Sequence, residues 1–77
     1  MPRYFFNVYS AESIYEDEVG EELSDRTAAW QEATKNAGES LRDLDGKLEP
    51  GTSWRLEVTD EFRNTLFYII VHSHSEV

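Results

Sequence analysis

Chemistry in this chain could reside in two places: a His72-x-His74 pair near the C-terminus, and five carboxylates (Glu16, Asp17, Glu18, Glu21 and Glu22) crowded around Val19-Gly20. Residues two apart on an extended strand project from the same face, so His72 and His74 could offer two imidazoles to a divalent metal. With no cysteine in the chain, any further ligand would be a carboxylate from elsewhere in the fold, and solvated histidines in a polar tail are the expected state. The acidic run lacks the alternating Asp/Asn spacing and closing glutamate of an EF-hand loop. It reads as a charged loop before a helix, one that also keeps a nearby sheet edge from pairing promiscuously. Neither a nucleophile elbow, nor a triad order, nor a phosphate-cradling glycine loop is present. The carboxylates sit at polar phases, where burial would not shift one of them into acid–base work. No catalytic residue, cofactor or enzymatic activity is therefore expected.

These positions depend on few elements. Arg3 to Tyr9 alternates as a strand, with Tyr4, Phe6 and Val8 on one face and Phe5, Asn7 and Tyr9 on the other. A short return strand is expected from Ser13 to Glu16. One helix follows, with Ser24 as its N-cap, or Asp25 if the boundary slips by one. Trp30, Ala33, Ala37, Leu41 and Leu44 form its apolar stripe, large at the ends and small in the middle, with Gly38 alongside and Gly46 as the terminating glycine. Pro50-Gly51 suits a type II turn. Trp54, Leu56 and Val58 alternate inward on the next strand. "DEFRN" connects it to the last strand, with Asn64 best able to tolerate positive φ, and residues 72–77 read as a frayed tail. The expectation is one α+β domain over residues 1–77: a β-β-α-β-β four-stranded antiparallel sheet with one helix packed on one face.

Seventy-seven residues leave a small core, so the 13% aromatic content matters, each such ring burying a large area for one residue's backbone entropy. A net charge of −9 argues against direct binding to a nucleic-acid backbone or an anionic membrane. No apolar run approaches the ~20 residues of a membrane span. The N-terminus lacks a basic region followed by an apolar run, and the cytoplasm is the expected compartment.

The last strand, "TLFYIIVH", is apolar on both faces. A four-residue loop, Glu61 to Asn64, sets Phe67, Ile69 and Val71 beside Val58, Leu56 and Trp54; a three-residue loop sets Leu66, Tyr68 and Ile70 there instead. The four-residue loop is preferred. One helix covers one face, so the remainder, with Phe5 and Tyr9, should form an exposed apolar surface of the kind that marks contact sites. Phe5, Tyr9, Leu66, Tyr68 and Ile70 are thus the expected self-association or partner-binding residues, in a two-fold dimer packed sheet against sheet or along a sheet edge.

The opening Met-Pro-Arg-Tyr-Phe-Phe, the segment from Glu16 to Leu23, the alanine-bearing helix and the strand–"DE"–strand ending from Val58 to Ile70 together resemble a family of short bacterial proteins of unknown function, common in alphaproteobacteria. The family often carries a glycine in the last turn, where this chain has Phe62, Arg63 and Asn64. The resemblance implies a shared fold and brings no activity, substrate or cofactor. The leading expectation is a non-enzymatic homodimeric interaction or regulatory protein. A second is an acidic decoy whose carboxylates stand in for phosphates in the basic groove of a partner protein. A third, weaker one is a small-ligand binder using the aromatic sheet face.

Overall fold

A computed structural model of the chain describes residues 1–11, 14–44 and 48–76. Its elements run β1 (Arg3–Ser10), β2 (Ile14–Tyr15), β3 (Glu21–Glu22), α1 (Arg26–Leu44), β4 (Ser53–Thr59) and β5 (Thr65–His72). The sheet order is β2-β1-β4-β5 with every neighbour antiparallel, and β3 joins the same edge of β1 as β2. The expected α+β architecture holds, with the two-residue β3 added to the four strands read from sequence. Ser13 and Gly46 lie outside the described residues, as does the side chain of Leu44.

The core forms where β1 and β4 present their alternating residues to α1. Phe6 pairs with Val58, Val8 with Leu56 and Ser10 with Trp54, so the two apolar rows share one face. The helix meets that face through Ala29, Ala33 and Ala37, all buried. Ala33 and Ala37 belong to the expected stripe, and Ala29 takes the place expected of Trp30. Small side chains at four-residue spacing let the helix backbone sit close over Leu56 and Val58, the largest fully buried side chains. Trp30 and Leu41, expected inside, are instead 43% and 40% exposed on one flank of the helix. Trp30 meets Phe67 of β5 edge-to-face at 5.1 Å. Asp25, rather than Ser24, is the N-cap: its Oδ1 accepts the Ala28 N–H at 2.8 Å.

The last hairpin combines both expected connections. Trp54 pairs with Val71, Leu56 with Ile69 and Val58 with Phe67, but Thr59 pairs with Thr65, the register shifting between Val58 and Thr59. The turn closes as the tighter loop, Asp60 N–H donating to Asn64 O at 3.0 Å. Leu66 is then the extra residue of a bulge that restores the register preferred from sequence. Arg63, and not Asn64, holds the positive φ, at 67°, at the left-handed position that three-residue hairpin loops require. Asp60 compensates through Oδ1, which accepts the Phe62 and Asn64 N–H groups at 2.9 Å each.

At the other end of the sheet Gly51 has φ 84° and Thr52 N–H donates back to Glu49 O, the type II geometry expected of Pro50-Gly51. Pairing continues past β5: Ser73 N–H donates to Thr52 O and Gly51 N–H to Ser73 O, both at 2.9 Å. The start of the expected frayed tail is therefore tied to the sheet.

Candidate functional site

From sequence, the sheet face turned away from α1 should expose an apolar surface of Phe5, Tyr9, Leu66, Tyr68 and Ile70. Its β1 end is closed by the acidic segment. The Asp17 N–H donates to Asn7 Oδ1 at 2.9 Å, and Asp17 Oδ2 accepts the Phe6 N–H at 3.2 Å. Asp17 Oδ1 accepts the Val19 and Gly20 N–H groups at 3.1 and 2.9 Å. One side chain thus folds the segment and fastens it to the edge of β1 between β2 and β3. Arg63 Nη1 donates to Asp17 O at 3.2 Å, and its guanidinium carbon lies 3.7 Å from the centroid of the Phe5 ring. Gly20 closes the other side; at φ +74°, a Cβ there would lie 2.9 Å from Tyr4 O and 3.0 Å from the Phe5 ring. Phe5 is consequently only 8% exposed within a single subunit.

Phe5 is therefore withdrawn from the expected contact surface. Leu66 is withdrawn too, because the bulge turns it to pack against the core cluster beneath the helix. Among the carboxylates, Asp17 is a structural hub. Glu21 and Glu22 form β3, with Glu22 paired to Arg3 at 3.0 Å, while Glu16 and Glu18 are exposed. A clue to this arrangement lies in Asp17-x-Val19-Gly20, an aspartate poised to accept the N–H groups two and three residues ahead of it.

The middle of the same face is a polar ladder. The Arg55 guanidinium lies between the rings of Tyr9 and Tyr68, 4.6 and 5.2 Å from their centroids. Glu57 accepts from Asn7 Nδ2 at 3.2 Å, Tyr9 OH at 3.3 Å and Thr65 Oγ1 at 2.8 Å. Burial opposes the charge of Glu57, but those three donors, with Arg55 adding to them, hold its carboxyl below the ordinary value. Burial and the adjacent Glu57 carboxylate push the Tyr9 phenol above 10.0. The Asp60 carboxyl is lowered by the Asn64 backbone N–H foremost.

Tyr68 and Ile70 remain, 47% and 64% exposed, on a strand at the border of the sheet. Among the described residues no strand pairs with the outer side of β5. Ser73 directs both its N–H and its C=O toward the β4 side, so alternation turns the backbone groups of His72, Ile70 and Tyr68 outward. Arg26 Nη2 donates to Leu66 O at 3.0 Å, as expected if that carbonyl also faces away from β4. From Leu66 to Val71 this edge carries no charged side chain.

His72 is exposed at the end of β5, while His74 lies in the tail, its Nε2 3.3 Å from Glu76 Oε1. Among the described residues no group of three or more histidines and carboxylates is arranged to hold a metal ion. None of the described helices is long and apolar enough to cross a membrane.

Fold and surface together define a small α+β domain with one sheet edge sealed by its own acidic segment and the opposite edge open. The chain belongs to the DUF6894 family, a domain of unknown function, whose match runs over residues 3–72. No curated protein and no solved structure matches it.

Proposed function

We propose that this protein is a non-enzymatic cytoplasmic interaction module of bacterial origin that acts as a homodimer, joined along the outer edge of β5. The observation that carries this reading is an eight-residue edge strand with no charged side chain between Leu66 and Val71. Folded proteins blunt such edges with lysines, prolines, bulges or a covering segment. β1 has a covering segment, and the bulge in β5 lies only at its hairpin end. A second copy meeting β5 about a two-fold axis supplies the missing ladder from identical residues. The Glu16–Glu22 segment lies at the opposite, β1 edge, while Arg26 reaches the Leu66 carbonyl and Arg55 lies against the Tyr68 ring, so positive charge flanks this border on a chain of charge −9.

The magnitudes agree with this reading. Trp30, Tyr68 and Ile70, exposed by 43%, 47% and 64%, present about 300 Å² of side-chain surface per copy, taking about 200 Å² for a full side chain. Edge pairing covers part of that surface, so the gain over both copies is at most about 15 kcal/mol at ~25 cal/mol per Å², against an association cost of about 4–15 kcal/mol. The new backbone ladder adds to the gain. Phe5 contributes nothing, and sheet-against-sheet packing over the whole far face is set aside in favour of the edge.

Sedimentation equilibrium tests the proposal. At tens of micromolar the wild type should sediment at twice the mass of the chain. Ile70→Lys should sediment at the single-chain mass with its circular dichroism intact. Lysine lowers the net negative charge of each copy, so long-range repulsion between copies does not increase. A wild type at single-chain mass throughout would overturn the proposal.

A further inference from the structure

Trp30 and Leu41 leave apolar surface exposed on α1. Eleven residues apart, they lie almost in line along the helix, on the flank that meets β5 through Phe67. Thr34 and Ala37 fall between them at helical spacing, and Gly38 borders the same flank with open space where a Cβ would stand. None of these five residues is charged. The Thr34 hydroxyl donates to Gln31 O at 2.8 Å within its own helix, which frees its methyl group for an apolar contact. The position of α1 over the sheet determines what can cover this flank. The helix packs against both β4 and β5, which sets its axis above the gap between them. It runs along β5: Arg26 and Trp30 reach Leu66 and Phe67 at the hairpin end. Ser40 and Asp43 lie near Trp54, which pairs with Val71 at the other end.

We propose that in the dimer joined along β5 the two α1 helices pack against each other, antiparallel across the two-fold axis, through Trp30, Thr34, Ala37 and Leu41. The helix contact rests on the edge pairing proposed above and adds a second surface to it. Adjacent strands lie about 4.8 Å apart. From the gap between β4 and β5 to the equivalent gap in the second copy is two such steps, about 9.6 Å, within the roughly 8–10 Å that separates packed helices. Sheet twist of about 20–25° per strand turns two helices that follow their strands by about 45° relative to each other, near the ~50° of the commonest helix-packing class. Helices crossing at such an angle meet at one point and splay away from it, so small residues suit the middle of the contact and large ones its ends. The flank has that order: Trp30, Thr34, Ala37, Leu41.

The register of the pairing agrees with that order. Arg26 Nη2 already holds Leu66 O, which leaves the outward positions Tyr68, Ile70 and His72 for the second copy. A two-fold ladder over these three is centred on Ile70. Ile70 lies about 10 Å along β5 from Phe67, and about 10 Å along α1 from Trp30 is Ala37. Ala37 therefore lies beside its own copy near the axis, and Leu41 of one helix falls between Trp30 and Thr34 of the other.

Disulfide trapping tests the contact, because the chain has no cysteine of its own. Positions 34 and 41 of one helix are about 10 Å apart, too far for a disulfide within a single chain. Oxidised Thr34→Cys/Leu41→Cys should therefore run as a covalent dimer on a non-reducing gel. Glu32→Cys/Glu39→Cys, with the same spacing on the opposite flank of the helix, should remain single-chain. Leu41→Gln, which leaves the charge unchanged at a site outside the core, should raise the dimer dissociation constant at least about tenfold in sedimentation equilibrium, its circular dichroism intact. A Thr34→Cys/Leu41→Cys chain that sediments as a dimer when reduced, yet does not cross-link on oxidation, would overturn the helix pairing and leave the edge pairing standing. Equal cross-linking of the control pair, or an unchanged dissociation constant in Leu41→Gln, would overturn it as well. A wild type at single-chain mass at every concentration would remove the edge pairing and the helix pairing together.

Discussion

Glu57 shows how a residue that reads as solvent-facing becomes structural. Its position on β4 is outward by alternation, yet three donors converge on its carboxylate. Because the folded-state pKa lies below the reference value of 4.5, the contribution of Glu57 to stability is complete above that pH and is lost as pH falls through the lowered value. Asp60, lowered from 3.8, acts in the same direction. Stability of the wild type should therefore decline below about pH 4.5, and urea denaturation of Glu57→Gln should show a shallower decline. In the same variant the Tyr9 phenol should titrate closer to 10.0, read from phenolate absorbance, since the neighbouring carboxylate charge that helps raise it is gone. At this scale sequence reveals faces but not convergence. The alternation of Arg3 to Tyr9 places Phe5 and Asn7 correctly opposite Tyr4 and Phe6. It cannot reveal that Asp17, distant along the chain, uses Asn7 and Phe6 as anchors and buries Phe5.

Elements are most legible where one periodicity governs them and least legible where two mechanisms compete. The strand register of β5 against β4 is half legible: both alternations of the last strand are apolar, and only the preference for a four-residue loop places Phe67, Ile69 and Val71 under the helix, as the pairing has them. The turn is not legible, because a tight loop followed by a bulge has the same net register as a longer loop. The helix stripe departs from expectation at its ends for a related reason. Ala33 and Ala37 are legible as the small middle of the stripe, whereas the close approach of α1 to Leu56 and Val58 extends it to Ala29 and leaves Trp30 and Leu41 on a flank. The glycines separate these roles. A Cβ added at Gly38, in mid-helix, would meet nothing within 4 Å, so Gly38→Ala should stabilise the protein by about 0.5–1 kcal/mol. Gly20→Ala should destabilise by about 2 kcal/mol or more, combining a left-handed conformation with a contact to Tyr4 O. Paired chemical denaturation of the two variants measures both; equal shifts would mean that the acidic segment does not press on β1 as described.

For the whole molecule, the asymmetry between the two sheet edges organises the surface. One edge is occupied by β2, β3 and the acidic segment hinged on Asp17; the other ends at β5 with its backbone groups turned outward. The two apolar faces of the last strand do demand covering, but less is left uncovered than the sequence suggests. Folding the acidic segment over Phe5 and stacking Arg55 between Tyr9 and Tyr68 are long-range events with no local signature. What remains is a narrow border of Tyr68 and Ile70, flanked on the helix side by Trp30. The central claim is that this border pairs with its own copy. Amide hydrogen exchange at increasing protein concentration tests it most directly. The account predicts that the Tyr68 and Ile70 amides exchange rapidly in dilute solution and become protected as concentration rises, while those of Ile69 and Val71, turned toward β4, are protected throughout. Tyr68 and Ile70 amides that exchange equally fast at every concentration would contradict it.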